Sequence, residues 1–495
     1  MVTISVSSHP GEHPGNGSRP DAPELADLRR YGRRLVRRFV AQARADEQPT
    51  FASLVTEHLG VPTHDLPLVE ERWAPYEHVN VQAAVDTWLA EPGRIADVVG
   101  LTNYRHRGPF GLGDLIRPDL SEFGGPHGPR PGNLSRVSLP IGPDGEKLQC
   151  LRAAVLLVSE GDDRIALLYR GSDRKSEMYG VTVEAIASRP GLAEQATERL
   201  RELADEHNVF RGQVLSFGQD MFGERGSVLR FHKRQPMPKS DLILPEATFA
   251  DLRRQVIGVA LNRERLRASG QHLKRGLLLH GPPGVGKTHT VRYLVGELDD
   301  TTVVELTGDT LPAIKQACSI ARSLQPAMIV VEDVDLIAEQ RDRYGGETPL
   351  LFTLLNEMDG LAEDSDVVFL LTTNRADLLE PALAARPGRV DQAVHIDLPD
   401  REARLRLVRL YCGGLDLDTG RLDDVLDRTE GVTASFLKEL LRRSAVVAGD
   451  RDGRPGSTDA LRVTADDLDE ALADLLDTRN QMTRAVLGFQ TDAPG

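Results

Sequence analysis

The sequence predicts an α/β protein built around a phosphate-binding loop, and three stretches carry that prediction. "GLLLHGPPGVGKTHT" (276–290) gives an apolar strand over Leu277 to Leu279, then a loop with G-x-x-x-x-G-K-T spacing, then a helical run. "PAMIVVED" (326–333) is a second apolar strand, ending on Glu332 and Asp333, and "DVVFLLTTN" (366–374) is a third, ending on Asn374. At 495 residues the chain exceeds one compact core, so several domains are expected, about three at the usual size. Hydrophobic residues make 40% and charged residues 27%, with no apolar run near the ~18 residues of a membrane span. Cys150, Cys318 and Cys412 lie far apart without C-x-x-C spacing, which supports neither a disulfide framework nor a zinc site and fits a reduced, cytoplasmic setting. The net charge of -15 argues against a surface devoted to nucleic acid and points to protein partners.

From the start of the chain, residues 1–20 are rich in Gly, Pro, Ser and His, lack a basic-then-apolar signal pattern, and read as a disordered leader. Residues 21–45 have helical periodicity, with Leu25, Leu28, Leu35 and Phe39 on one side and Arg29, Arg30, Arg33, Arg34, Arg37 and Arg38 on the other. Such a basic face binds phosphate or an anionic membrane, or is a solvated face beside Asp21, Glu24 and Asp27. Helices are expected in "TFASLVTEHLG" (50–60) and through "VQAAVDTWLAEPGRIADVVG" (81–100). The Gly- and Pro-dense run 107–133 breaks both periodicities and marks a boundary, giving a helical subdomain over 21–133. Beyond it, strands in 149–160 and 163–171, a helix in 190–208 and a strand in 212–218 make an α/β subdomain over 134–238. "KRQPMPKSD" (233–241) reads as a linker into the phosphate-binding part. No repeat and no H-E-x-x-H metalloprotease motif occurs in the sequence.

The expected nucleotide-binding set is Gly281, Pro282, Pro283, Gly284, Val285, Gly286, Lys287, Thr288 and His289. Glycines let backbone N–H groups close around phosphates, and the helix that begins there adds the positive end of its dipole. Lys287 supplies a point charge to the β- and γ-phosphates of ATP, and the Thr288 hydroxyl coordinates Mg²⁺. Such a loop needs an acidic partner at the end of another buried strand, which Glu332 and Asp333 supply. Asn374 is neutral and polar, suited to orient an attacking water, and Arg386 and Arg389 follow on either side of Gly388.

With "LLNEMDGL" (354–361), "TTNRADLLEPAL" (372–383), "RPGRVD" (386–391) and "VTADDLDEAL" (463–472), the loop "GPPGVGKT" (281–288) resembles the AAA ATPases of the AAA+ superfamily over about 240–480. The resemblance implies a parallel sheet flanked by helices over 239–400, a small helical lid over 401–480 ahead of a tail at 481–495, and a homohexameric ring whose site lies between neighbours. By motif position it implies that Glu332 is the Mg²⁺-associated acid, Asp333 the water-activating residue, Asn374 the sensor, and Arg386 and Arg389 the fingers reaching the adjacent subunit.

The chain departs from that pattern in four places. Most relatives end the second strand in Asp-Glu, whereas this one has Glu332-Asp333; a base about one methylene short implies slow turnover, because a misplacement of about 1 Å can cost on the order of a hundredfold. The AAA branch that inserts the Rieske protein into the mitochondrial inner membrane is similar in this order, in "KRGLLLHGPPG" (274–284) and in the short stretch Thr307 to Glu332, and it is active. Peptide-threading relatives carry an aromatic, an aliphatic and a glycine in that stretch; here no aromatic lies between Thr301 and Ala327, and Leu311 is the only sizeable apolar candidate for gripping substrate. "EPALAARPGR" (380–389) is one residue longer than the usual spacing, which leaves open which arginine is the finger. The lid run "GVTASFLKEL" (431–440) carries Ala434-Ser435 where many relatives have Gly-Ala, with no sensor arginine. The expected function is an ATP-driven ring that remodels protein substrates recruited through residues 21–238. The alternatives are an ATP-gated scaffold with slow hydrolysis and, against the acidic charge, an ATPase acting on nucleic acid.

Overall fold

The computed structural model describes residues 50–104, 110–117, 128–172, 180–218, 228–335, 350–377, 379, 390–453 and 460–476. The expected arginine-faced helix at 21–45, residues 107–109 and 118–127 of the run 107–133, Arg386, Arg389 and the tail lie outside these residues.

The first half is one antiparallel sheet: β1 (Val69–Trp73), β2 (Arg94–Thr102), β3 (Arg130–Gly132), β4 (Ser135–Pro140), β5 (Lys147–Glu160), β6 (Asp163–Arg170) and β7 (Val181–Ala187), ordered β1-β7-β6-β5-β2-β3 with β4 also paired to β5. One face packs beneath α1 (Phe51–Leu59) and α3 (Leu112–Ile116), and the other beneath α2 (His78–Leu89) and α4 (Leu192–Glu206). Thr50 caps α1 by accepting from the Ser53 N–H at 3.2 Å, and Gly60, at φ 68°, ends it. The stretch 81–100, expected to be helical throughout, is helical only to Leu89. Glu91-Pro92-Gly93 stops the helix, and the chain re-enters as β2, pairing with β5 from Arg94↔Glu160 to Gly100↔Ala154.

That pairing also corrects the boundary expected at 133/134. β2, from the first side, lies between β3 and β5, so the two expected subdomains share a single sheet. The Gly- and Pro-rich run ends in an edge strand because Gly100 lies so close to Asn133 that any Cβ would run into its carbonyl.

The second sheet is ordered β14-β10-β13-β12-β11-β8-β9, with β8 (Val214–Gly218), β9 (Val228–His232), β10 (Arg275–His280), β11 (Thr302–Leu306), β12 (Ala327–Val331), β13 (Val367–Thr373) and β14 (Gln392–His395). β14, β10, β13, β12 and β11 run parallel, the architecture implied by the resemblance. The flanking helices include α5 (Glu246–Arg253), α6 (Lys287–Gly296), α7 (Ile314–Ser323) and α8 (Leu350–Asp359). The strand expected at 212–218 belongs here and not to the first sheet: β8 pairs parallel to β11, and β9 returns antiparallel beside it.

The segment 233–241 is likewise no free linker. The Arg234 guanidinium donates to the carbonyls of Gly212 (3.1 Å), Thr301 (2.7 Å) and Val295, while Met237 packs against the core beneath α6. The first sheet is held to the second by a shared apolar cluster in which Val79 of α2 and Cys150 of β5 are buried with Phe210, Leu215, Ile314 and Cys318. Asn80 accepts from the Val209 N–H at 3.0 Å across the same junction. Arg234→Ala is therefore expected to cost about 3 kcal/mol, the upper range for hydrogen bonds to a charged group, and to open 233–241 to limited proteolysis; an unchanged denaturation midpoint would count against the clamp.

The last part is a helical cluster of α9 (Arg401–Cys412), α10 (Leu422–Arg428), α11 (Ala434–Asp452) and α12 (Ala465–Leu476) around Leu407, Leu426, Phe436, Leu440 and Leu472. Asp400 caps α9 through the Ala403 N–H (2.7 Å), and Thr433 caps α11 through the Phe436 N–H (3.2 Å).

Candidate functional site

The loop between β10 and α6 carries the phosphate-binding sequence. Gly281 (φ 147°) sits where a side chain would strike the Ile396 carbonyl, and Gly284 (φ 79°) where one would strike Ser435 at the start of α11. The Ser435 N–H donates to the Gly284 carbonyl at 3.1 Å, so the lid rests on the loop. Val285 is buried in the core beneath the loop, and Gly286 stands immediately before α6, whose first N–H groups have no intrahelical acceptor. Pro282 and Pro283 shape the loop between these points, with the Pro282 carbonyl turned to Lys287.

Lys287 opens α6 and is 7% exposed. Its ammonium donates to the carbonyls of Gly281 and Pro282 and to Asn374 Oδ1, each at 2.8 Å. Burial pulls its pKa below the ordinary lysine value, opposed by the negative charges of Asp333 and Asp335. The Thr288 hydroxyl donates to Glu332 Oε2 at 3.4 Å. Burial, then Asp333 and Glu305, raise the Glu332 pKa. His289, the next residue on α6, has its pKa lowered by burial and by the nearby Arg292 and Lys438.

The ends of β12 and β13 meet opposite the loop. Asp333 has φ 53°, the left-handed region; its N–H donates to Thr372 Oγ1 at 3.1 Å, and the following Val334 N–H donates to the Thr372 carbonyl at 2.9 Å. The Asn374 side chain bridges the site, donating from Nδ2 to Asp333 Oδ1 (3.3 Å) while its Oδ1 accepts from Lys287. Asp335, which the sequence reading passed over, is 8% exposed and accepts from the Thr373 hydroxyl (2.9 Å) and the Asn374 N–H (3.4 Å). It fixes the base of the strand end that carries Asn374. The only signal for it was an acid two residues beyond Asp333, which reads equally well as a turn former.

The donor set fits a Mg²⁺-bound nucleoside triphosphate. A buried ammonium waits among loop carbonyls at a helix start, and a hydroxyl and a carboxylate lie together beside it. Leu311, by contrast, does not present itself to any substrate. Gly308–Ala313 form a 3₁₀ turn closed by Thr307 and Thr310, and Leu311 is 2% exposed, buried in the same cluster as Ile314 and Cys318. Arg386 and Arg389 lie outside the described residues.

A glycine loop between a buried parallel strand and a helix, faced by an asparagine at the end of the neighbouring strand and by acids at the end of the strand beyond it, defines a P-loop nucleotide-binding module. Residues 277–398 match the family model "ATPase family associated with various cellular activities (AAA)". The chain carries an AAA ATPase domain, and such domains work on ATP with Mg²⁺. It is similar to "ATP-dependent zinc metalloprotease FtsH 2" of Sphaerobacter thermophilus, at 37% identity over 221 residues, 42% of this chain and 33% of that protein. It is similar also to "ATP-dependent zinc metalloprotease FtsH" of Thermus thermophilus, at 31% identity over 46% of this chain and 39% of that protein. A third, "FtsH 3" of Sphaerobacter thermophilus, is 30% identical over 49% of this chain and 52% of its own length. The chain thus spans from a third to about half of the length of these relatives. Among the described residues no helix is long and apolar enough to cross a membrane, and no group of three or more His, Cys, Asp or Glu could hold a metal ion.

Proposed function

We propose that the protein hydrolyses ATP to ADP and phosphate, that it does so as a ring of identical subunits, most simply a hexamer, and that it acts on protein partners engaged through residues 21–238. The observation that carries the hydrolytic part is the Asn374 side chain, hydrogen-bonded at once to the phosphate-loop lysine and to Asp333. In this reading Lys287 holds the β- and γ-phosphates, and Asn374 exchanges its contact with Lys287 for one to the attacking water. Asp333 accepts the water's proton as its oxygen bonds to the γ-phosphorus and the bond to the β-phosphate oxygen breaks. Thr288 and Glu332 would hold Mg²⁺, which when bound would supply positive charge to the phosphate oxygens. Arg386 or Arg389 reaches the site of the adjacent subunit, a contribution worth roughly 10³ to 10⁵ in rate in comparable sites.

The two acids are told apart by paired substitutions. Asp333→Asn is expected to keep ATP affinity within about twofold and lower turnover by roughly 10² to 10⁴, the range for a positioned general base. Glu332→Gln is expected to weaken the Mg²⁺ dependence of binding. Titrating a fluorescent ATP analogue with and without Mg²⁺, beside phosphate release, measures both; the opposite assignment of phenotypes would reverse the two roles.

A second reading, an ATP-gated scaffold in which hydrolysis resets assembly, is favoured by one observation. Leu311 is buried beneath its exposed turn, which removes the apolar grip on an extended chain that threading requires. Light scattering of the Asp333→Asn protein with ATP separates the two: a locked complex still active in binding partners supports the scaffold, and one that has lost partner remodelling supports the machine.

A further inference from the structure

We propose that the Glu332-Asp333 order is dictated by a left-handed backbone at residue 333, held by Thr372, which makes Asp333 the acid that fits there and Thr372 its positioning residue. The role of Asp333 as base rests on the ATP-hydrolysing reading above; the backbone preference does not. At φ 53° an L-residue brings its Cβ against the backbone, and among non-glycine residues Asp and Asn tolerate this best because their short polar side chains bond locally. At Asp333 the turn is also held from the neighbouring strand: its carboxylate accepts from Asn374, and its N–H donates to the hydroxyl of Thr372, a residue 2% exposed at the β13 end. A Glu in this position would carry the strain of the left-handed turn without the short side chain that tolerates it, and its longer chain would overrun the 3.3 Å contact to Asn374. Glu332, one residue earlier, has the reach to meet Thr288 across the gap to α6. The Thr372 carbonyl also takes the Val334 N–H, so a single residue of β13 holds both amides that turn the chain out of β12.

The acid order is therefore matched to this turn and is no impaired form of Asp-Glu. The test uses the full chain and two independent readouts. In thermal unfolding, Asp333→Gly is expected to melt above both Asp333→Ala and Asp333→Glu, because glycine alone relieves a left-handed position; on an extended backbone glycine would melt lowest. In turnover, the reversed pair Glu332→Asp with Asp333→Glu is expected to lose at least tenfold, with ATP-analogue affinity within about twofold. Thr372→Val, which keeps the shape and removes the acceptor, is expected to lose turnover similarly, and Thr372→Ser to regain most of it. The inference is overturned if the reversed pair turns over as fast as or faster than the native order, if Thr372→Val is unaffected, or if glycine melts lowest. Should the native protein bind ATP without turning it over, the hydrolytic reading fails, and the melting order alone still decides the backbone inference.

Discussion

Lys287→Ala is expected to abolish turnover and to weaken ATP binding by about 10² to 10³, the loss that follows removal of one preorganised charged donor from a buried site. The size follows from what surrounds this amine. It is 7% exposed, donates to three acceptors at 2.8 Å, and is the cation opposite Asp333 and Asp335. Its burial is offset in the folded chain by the Gly281 and Pro282 carbonyls and Asn374, so its charge is already positioned where an incoming phosphate takes the place of the Asn374 contact. Alanine leaves those oxygens without their donor and two acids facing the triphosphate with no counter-charge, which repels the ligand as well as failing to hold it. Lys287→Met, closer in length and volume, should behave alike, which separates charge from packing. Isothermal titration with ATP and Mg²⁺, with circular dichroism to establish folding, is the measurement; turnover unchanged in either variant would remove Lys287 from the site.

How much of this was legible in the sequence divides by range. The phosphate loop is a local object: three glycines, a lysine and a threonine at fixed spacing between an apolar run and a helix, and positions 281 to 288 need no partner to be recognised. The apolar runs at 328–331 and 367–371 are likewise visible because parallel strands buried on both faces read as continuous hydrophobic stretches. What hid was long-range. A strand at 214–218 could be read, but not that it pairs with Val303, Val304 and Glu305, some ninety residues on, in preference to its sequence neighbours. For the same reason the divide at 133/134 misled, since the Gly- and Pro-rich run looks like a linker until β3 is seen against Gly100. The site shows the same split. Glu332, Asp333 and Asn374 announced themselves as strand-ending polar residues, whereas the φ of Asp333 and the buried bonds of Asp335 depend on how two strand ends, forty residues apart, come to lie together.

Leu311→Ala is expected to cost about 2–5 kcal/mol of stability, the range for emptying a buried leucine site, and to leave no separate effect on substrate gripping. The sequence singles out Leu311 as the one sizeable apolar residue of its turn, and the fold turns it inward. Thr307 and Thr310 close the turn by exchanging hydrogen bonds at 2.8 and 2.9 Å, leaving Thr307, Gly308, Asp309 and Pro312 exposed while Leu311 enters the cluster with Val304, Ile314, Ala317 and Phe210. That cluster also contains Val79 and Cys150 from the first sheet, so a cavity at Leu311 loosens the contact between the first half and the ATPase domain as well as the turn itself. Hydrogen exchange should report it as increased opening over both α7 and α2, and urea denaturation as a lowered midpoint. Gripping is tested at the exposed positions instead. A fluorescent reporter fused to a natural partner should keep its fluorescence through ATP turnover by the native protein, because Asp309 and Pro312 offer no large apolar surface to an extended chain, against roughly 1.5–3 kcal/mol for a buried large side chain. ATP-driven loss of that fluorescence, abolished by Leu311→Ala under conditions where the variant remains folded, would mean that the turn opens during the cycle and presents Leu311 after all.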